Sequence, residues 1–280
     1  MKRVAPVGAP SDDPAVGTTS IEAAFAAARE EGRAALMPYL MGGVPDQRTA
    51  TAIAQAYADA GADLIELGVP FSDPLADGPV IHAAATAALE AGATLDSVLE
   101  TCAAVADCVP VALMCYANMV LATGAVEFAV KAAEAGAAAV IVPDLPLEEQ
   151  DSIIEALSER GLGLVPLVAP TTPPERRREI CARAGGFVYL VSTIGVTGER
   201  QELPEELTDL VAAAKEEASV PVAVGFGIST PEQAATVGKI ADGVIIGTRL
   251  VREVADAADR EQAVRGVTEF LASARDALSR

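Results

Sequence analysis

The feature that most constrains this chain is a rhythm of eight short, nearly continuous apolar runs. They begin at Ala34, Asp63, Val109, Ala137, Leu162, Phe187, Val220 and Gly243. Solid hydrophobicity without alternation marks a strand covered on both faces, as in a parallel sheet. Helical patterns fall between and after the runs, over 46–60, 79–105, 124–135, 147–160, 173–184, 205–218 and 231–239, with a last one from about 261. Eight strands alternating with eight helices within 280 residues predict a single (β/α)8 TIM barrel over 20–280, not a doubly wound open sheet. Small residues close each helix before the next strand, in "DAGADLIEL" from Asp59, "EAGAAAVIV" from Glu134, "RAGGFVYLV" from Arg183 and "KIADGVIIG" from Lys239. Ahead of the barrel, "SIEAAFAAAREEG" predicts an N-terminal leading helix with Ser20 as its cap and Gly32 as its stop. Residues 1–19 are rich in Pro, Gly, Asp and Thr without periodicity, and predict a disordered N-terminal extension.

Composition narrows the function. A net charge of −20 removes the basic stripe that holding a phosphate backbone requires, and Arg176, Arg177 and Arg178 are too few to replace it, so no nucleic-acid partner is expected. No apolar run approaches the ~18 residues that span a bilayer, and Met1-Lys2-Arg3 is not followed by an apolar signal core, so a soluble cytoplasmic protein without a membrane partner is expected. Cys102, Cys108, Cys115 and Cys181 lack C-x-x-C spacing and lie in apolar or helical contexts, as small buried hydrophobes of a reducing compartment do. His82 is the single histidine and lies in an Ala-rich helical pattern, which leaves no His-dependent triad and no metal site to expect. Acid-base work falls to carboxylates, tyrosine or a cofactor.

Active sites of such barrels lie where the strands end. The second run continues as "ELGVPFSDPLADGP", which places Glu66 inside an apolar strand and Asp73 and Asp77 in a proline-bracketed loop. Glu66 is predicted to face the barrel mouth, where desolvation raises a carboxyl pKa toward the range of a general acid-base. A salt bridge to a neighbouring strand is the alternative, but no predicted strand carries a basic residue. Either aspartate alone could be turn chemistry, Asp73 before Pro74 and Asp77 before Gly78. The seventh and eighth runs end in "GFGIST" from Gly225 and "GTR" from Gly247, and Thr230 with Gln233 reads as a capping box. Glycine amides and a helix N-terminus there would hold a phosphate without basic side chains. The loop "STIGVTGERQELP" from Ser192 to Pro204 reads either as a lid or as a flexible surface loop.

With these residues in view, "ELGVPFSDPLADGP" resembles the signature of the tryptophan synthase alpha subunit family, as do "YAN" at Tyr116, "GVTG" at Gly195 and "GFGIS" at Gly225, in that order over about residues 20–275. The resemblance implies a carbon-carbon lyase that cleaves indole-3-glycerol phosphate by retro-aldol chemistry into indole and glyceraldehyde 3-phosphate. It implies Glu66, Asp77 and Tyr189 as catalytic residues, with Asp77 on the indole N–H. It places substrate contacts on Tyr39, Ile81, Tyr116, Thr197 and Phe226, and phosphate contacts on Gly198, Gly227, Ile228, Gly247 and Thr248. Asp73 and Pro74 would face a partner, the beta subunit of an alpha2-beta2 heterotetramer, which uses pyridoxal phosphate to join indole to serine. The alpha chain itself needs no cofactor and no metal. Val44 before Pro45 and Thr193 depart from the family's pattern, at positions that bear on loops and partner contact.

Three other readings share the fold. A Schiff-base aldolase needs a strand-end lysine, whereas Lys2, Lys131, Lys215 and Lys239 lie in the tail or on helical patterns. A phosphosugar isomerase would need His82 as its electrophile. A silent barrel would only bind a partner.

Overall fold

In the computed structural model the described residues are 16–191, 205–225 and 227–279. The strands are β1 (Ala35–Met41), β2 (Ile65–Gly68), β3 (Val111–Met114), β4 (Ala139–Ile141), β5 (Gly163–Val165), β6 (Leu167–Val168), β7 (Val188–Val191), β8 (Val222–Gly225) and β9 (Gly243–Ile246). All pairings are parallel, in the order β5-β4-β3-β2-β1-β9-β8-β7-β6. The two ends of that order are halves of one apolar run, divided at Pro166. Proline has no N–H to give a ladder, so the run stops pairing with β4 and starts pairing with β7. The Pro166 carbonyl still accepts from the Tyr189 amide at 3.0 Å. The expected eight runs thus form nine strand segments and a barrel that closes through the fifth run.

The helices are α1 (Val16–Glu30), α2 (Gln47–Asp59), α3 (Pro79–Glu90), α4 (Leu95–Ala103), α5 (Ala117–Thr123), α6 (Ala125–Glu134), α7 (Asp151–Ser158), α8 (Pro174–Ala182), α9 (Glu205–Glu217), α10 (Pro231–Gly238), α11 (Thr248–Ala255) and α12 (Arg260–Leu278). The expected helix over 79–105 is two helices. Gly92, at φ +87°, ends the first, and a Thr94/Ser97 capping box starts the second. The expected helix over 147–160 opens with a 3-10 turn at Leu147–Glu149 ahead of α7. Two helices were not anticipated. Both α5 and α11 start without a side-chain cap, at Tyr116 and Gly247, so neither announces itself in the sequence. The leading helix starts at Val16, which puts Ser20 one turn inside it; a cap preference near 1 kcal/mol does not stop a helix from extending. The capping box of Thr230 and Gln233 is formed at the start of α10.

The leading helix has a structural task. Its Ile21, Phe25 and Ala28 pack with the inward residues Ala35, Met37, Ala112, Ala139, Val165, Phe187 and Ala223, closing the N-terminal end of the barrel. Phe25 and Phe187 meet with ring centroids 5.9 Å apart. The larger remainder of the core lies between the strands and the surrounding helices. Of the cysteines, Cys102, Cys115 and Cys181 are buried as expected, but Cys108 is exposed, in the turn after α4. Its apolar neighbours Val105 and Val109 take the interior places on either side of it. Among the described residues no helix is long and apolar enough to cross a membrane.

Buried charge holds the same closed end. The Arg33 side chain, 1% exposed, makes a two-pronged contact with Asp63 at 2.5 and 2.8 Å and donates to Glu31 at 2.8 Å. Asp63 also accepts from the Leu36 amide at 2.7 Å, which ties the start of β2 to β1. Arg275 of α12 adds a bond to Glu31 at 2.9 Å. Removing one partner from a buried pair strands the other charge. Asp63→Ala is therefore expected to cost about 3–5 kcal/mol in denaturant unfolding. A loss below about 1 kcal/mol, the range of exposed pairs, would show that the cluster is not a structural tie.

Candidate active site

At the opposite end the strands surround a cavity of about 750 Å³ including its open mouth. Its lining takes Tyr39 from β1, Glu66 from β2, Asp77 and Gly78 from the β2–α3 loop, Ile81 from α3 and Tyr189 from β7. Met114, Ile141, Leu167 and Ile245, each near a strand's C-terminal end, form apolar walls. Gly227, Gly247 and Thr248 stand on the β8–β9 side.

The inward face of β2 decides the chemistry. Leu64 lies in the barrel interior just before the strand, and Glu66 and Gly68 follow at the two-residue spacing that keeps a side chain on one face. Glu66 is 2% exposed, and its Oε2 has no hydrogen-bond partner. It makes no ion pair among the described residues, so the salt-bridge alternative fails. Burial first, then the charge of Asp77, pushes the Glu66 carboxyl up to about 8. A carboxyl in that state is protonated near neutrality and can both give and take a proton.

Gly68 makes room for what lies above Glu66. A Cβ at Gly68 would overlap the Tyr39 ring and hydroxyl, and a Cβ at Gly225 would likewise overlap Tyr189. The two phenols thus lie over strand-end glycines of β2 and β8, at the places where side chains would stand. Tyr39 pairs in register with Glu66, and its hydroxyl donates to the Met41 sulfur at 3.9 Å. Burial first, then the nearby carboxylates, hold both phenols well above the usual tyrosine range, so they remain protonated.

Asp77 is half-buried, and burial raises its pKa against the opposing pull of Tyr116 and His82. Tyr116 itself is not part of the cavity lining. Its hydroxyl accepts from the Ala76 amide at 3.1 Å, and its ring stacks on Phe71 at 5.3 Å and 26°. Phe71 is therefore half-buried against Tyr116. Asp73 is exposed and accepts from the Ser72 hydroxyl at 2.6 Å. Pro74 is half-buried beside Leu75, which is 86% exposed.

Among the described residues, the β8–β9 side of the cavity has no cationic side chain in its lining. Arg249, the first charge of α11, instead bonds Glu253 at 2.5 Å and lies over the Phe270 ring at 5.1 Å. The first amides of α11, next to Gly247 and Thr248, have no carbonyl of their own helix to bond. Ile228 is buried behind Gly227 and is outside the lining. Thr197 and Gly198, with the rest of the loop from Ser192 to Pro204, and Phe226 lie outside the described residues, as do residues 1–15 of the extension expected over 1–19, whose residues 16–19 belong to α1.

Lysine and histidine fall elsewhere. Lys131 bonds Asp96 at 3.0 Å and Lys215 bonds Asp242 at 2.7 Å, on the outer helices, and neither they nor Lys239 line the cavity. His82 is exposed on α3. Among the described residues the aldolase reading has no nucleophile and the isomerase reading no electrophile.

Comparison with known proteins bears on the same site. Residues 25–279 match the family model for the tryptophan synthase alpha chain. The chain belongs to the tryptophan synthase alpha chain family. It is 48% identical over 243 residues to the alpha chain of Synechococcus sp. (strain CC9902), covering 86% of this chain and 90% of that one. It is 46% identical over 265 residues to the alpha chain of Synechococcus elongatus, covering 94% and 98%. Among solved structures it is similar to Mycobacterium tuberculosis tryptophan synthase, with TM-score 0.85, 34% identity, and 93% and 98% coverage. It is also similar to tryptophan synthase subunit alpha from Legionella pneumophila str. Paris, with TM-score 0.84, 35% identity, and 92% and 98% coverage. As a member of this family the chain is a lyase on a TIM barrel, in tryptophan biosynthesis.

The state of Glu66 has a consequence for stability. Folded, it holds its proton up to about 8, whereas the unfolded chain releases it near the ordinary 4.5. Its contribution is full below the lower value and is lost as pH rises through the upper one, by an amount on the order of 5 kcal/mol at full ionisation. Denaturant unfolding of the parent is expected to weaken between about pH 5 and pH 9 more than that of Glu66→Gln. Parallel pH dependences would contradict the buried, protonated carboxyl.

Proposed function

We propose that the cavity binds indole-3-glycerol phosphate and that Glu66 exchanges the proton on which its cleavage turns. Protonated Glu66 gives its proton to indole C3, and positive charge develops at the indole nitrogen, where the Asp77 carboxylate compensates it. The Glu66 carboxylate then takes the proton of the glycerol hydroxyl next to the ring. The bond from C3 to the glycerol chain breaks, its electrons return to the ring, and the hydroxyl-bearing carbon becomes the aldehyde. Indole and glyceraldehyde 3-phosphate leave, and Glu66 is again protonated. The observation that carries this reading is a buried carboxyl with an unpartnered oxygen, in a cavity shared with a second carboxylate.

Tyr189 and Tyr39 bound the reaction centre, and Ile81 with the apolar walls takes the indole ring. Gly227, Gly247 and Thr248 take the phosphate through backbone amides, together with Ile228 and with Gly198 beyond the described residues. Thr197 and Phe226 complete the substrate contacts. Asp73 and Pro74, on the loop tip with exposed Leu75, face a beta subunit in an alpha2-beta2 assembly. There the beta subunit, with its pyridoxal phosphate, receives the indole; this chain uses no cofactor, and the assembly works in the cytoplasm.

Glu66→Gln keeps the shape but cannot exchange a proton, and indole release is expected to fall by ~10²- to 10⁴-fold with glyceraldehyde 3-phosphate affinity nearly unchanged. Asp77→Asn is expected to raise the barrier by ~3–4 kcal/mol while sparing the same affinity. Indole formation within tenfold of the parent in Glu66→Gln would overturn the assignment.

A further inference from the structure

The β2–α3 loop that carries Asp77 is held from one side by one residue. Between Pro70 and Asp77, the hydrogen bond that reaches another element among the described residues is Ala76 N–H to the Tyr116 hydroxyl, at 3.1 Å. The same tyrosine stacks on Phe71 at the other end of the loop, 5.3 Å between centroids. Having accepted from Ala76, its hydroxyl keeps a hydrogen to donate, and the carboxylate of the next residue of the loop, Asp77, is near enough to act on it. Tyr116 is itself fixed: it stands at the start of α5, where the next amide, Ala117 N–H, donates to Asp144 Oδ1 at 2.8 Å. Backbone, ring and carboxylate of one loop thus converge on a side chain that lies outside the cavity.

We propose that Tyr116 is a positioning residue, which clamps the β2–α3 loop and holds Asp77 ionised and aimed into the cavity until Asp77 exchanges the Tyr116 hydroxyl for the substrate's indole N–H. The proposal rests on the functional reading above and assigns Tyr116 to Asp77 instead of to the substrate. The groups facing Asp77 are consistent with it. His82 from α3 and Tyr116 favour the ionised form, whereas burial disfavours it. Glu66 from β2, Tyr39 from β1 and Tyr189 from β7 share its field, and Asp144 acts on Tyr116 from the far side. A donor in contact with a carboxylate lowers its pKa, so losing the donor raises it. Ring stacking is independent of the hydroxyl, so the two parts of the clamp can be separated.

The test is Tyr116→Phe, which keeps the ring on Phe71 and removes only the hydroxyl. Asp77 is titrated by carboxyl carbon NMR on the folded chain, and kcat/KM for indole formation is followed against pH. Asp77 is expected to titrate at higher pH than in the parent. The acidic limb should move the same way, with the maximum of the bell-shaped profile kept within about threefold and the limb's shift absent in an Asp77→Asn background. An unmoved Asp77 titration overturns the proposal. So does a rise in KM with an unmoved limb, which would make Tyr116 a substrate contact, or an equal loss at every pH, which would make it a packing residue. If Asp77→Asn alone is fully active, the functional reading fails instead, while the NMR titration still reports whether Tyr116 holds Asp77.

Discussion

A carboxyl group buried without a cation governs this molecule. Leaving Glu66 ionised in that place would cost several kcal/mol, and the described residues offer it no compensating charge, so the group stays protonated near neutrality. Keeping that proton costs folding stability progressively as pH rises above the ordinary 4.5, and it leaves the group ready for proton transfer near neutrality. The cost is borne by a barrel tied at its other end, where α1 plugs the interior and Arg33, Asp63, Glu31 and Arg275 are joined. Stability and reactivity sit at opposite ends of the same strands, the usual division in this architecture.

Around Glu66 the mouth is arranged by small residues as much as by large ones. Gly68 and Gly225 leave the volume that the phenols of Tyr39 and Tyr189 fill. Those phenols stay protonated because burial first, and then the nearby carboxylates, oppose their ionisation. The β8–β9 side follows the same economy of charge. Gly227, Gly247 and the start of α11 present backbone, and Arg249 is engaged with Glu253 and Phe270. This is how a chain of net charge −20 can be read as the binder of a phosphorylated substrate.

Much of this was legible in the sequence, for identifiable reasons. The doubly buried strands announce themselves as solid apolar runs, and a glutamate inside one stands out because nothing near it could neutralise it. The same solidity hides which residues face inward, so the cavity walls Met114, Ile141, Leu167 and Ile245 could not be separated from residues facing the helices. Pro166 was visible, but its effect on strand pairing depends on which neighbours it stands between. Helices α5 and α11 lack capping side chains and leave no sequence signal, and with α5 are hidden the contacts that Tyr116 makes with Phe71 and Ala76. The exposure of Cys108 and the burial of Phe71 are tertiary facts, set by contacts far along the chain.

The central claim is that Glu66 carries its proton in the folded protein near neutral pH because it is dry. The most direct measurement is the carboxyl carbon NMR titration of glutamate-labelled protein, with the Glu66 resonance identified by its absence in Glu66→Gln. The account predicts one glutamate that titrates near 8, far from the others. A Glu66 resonance that titrates near the ordinary 4.5 would contradict it.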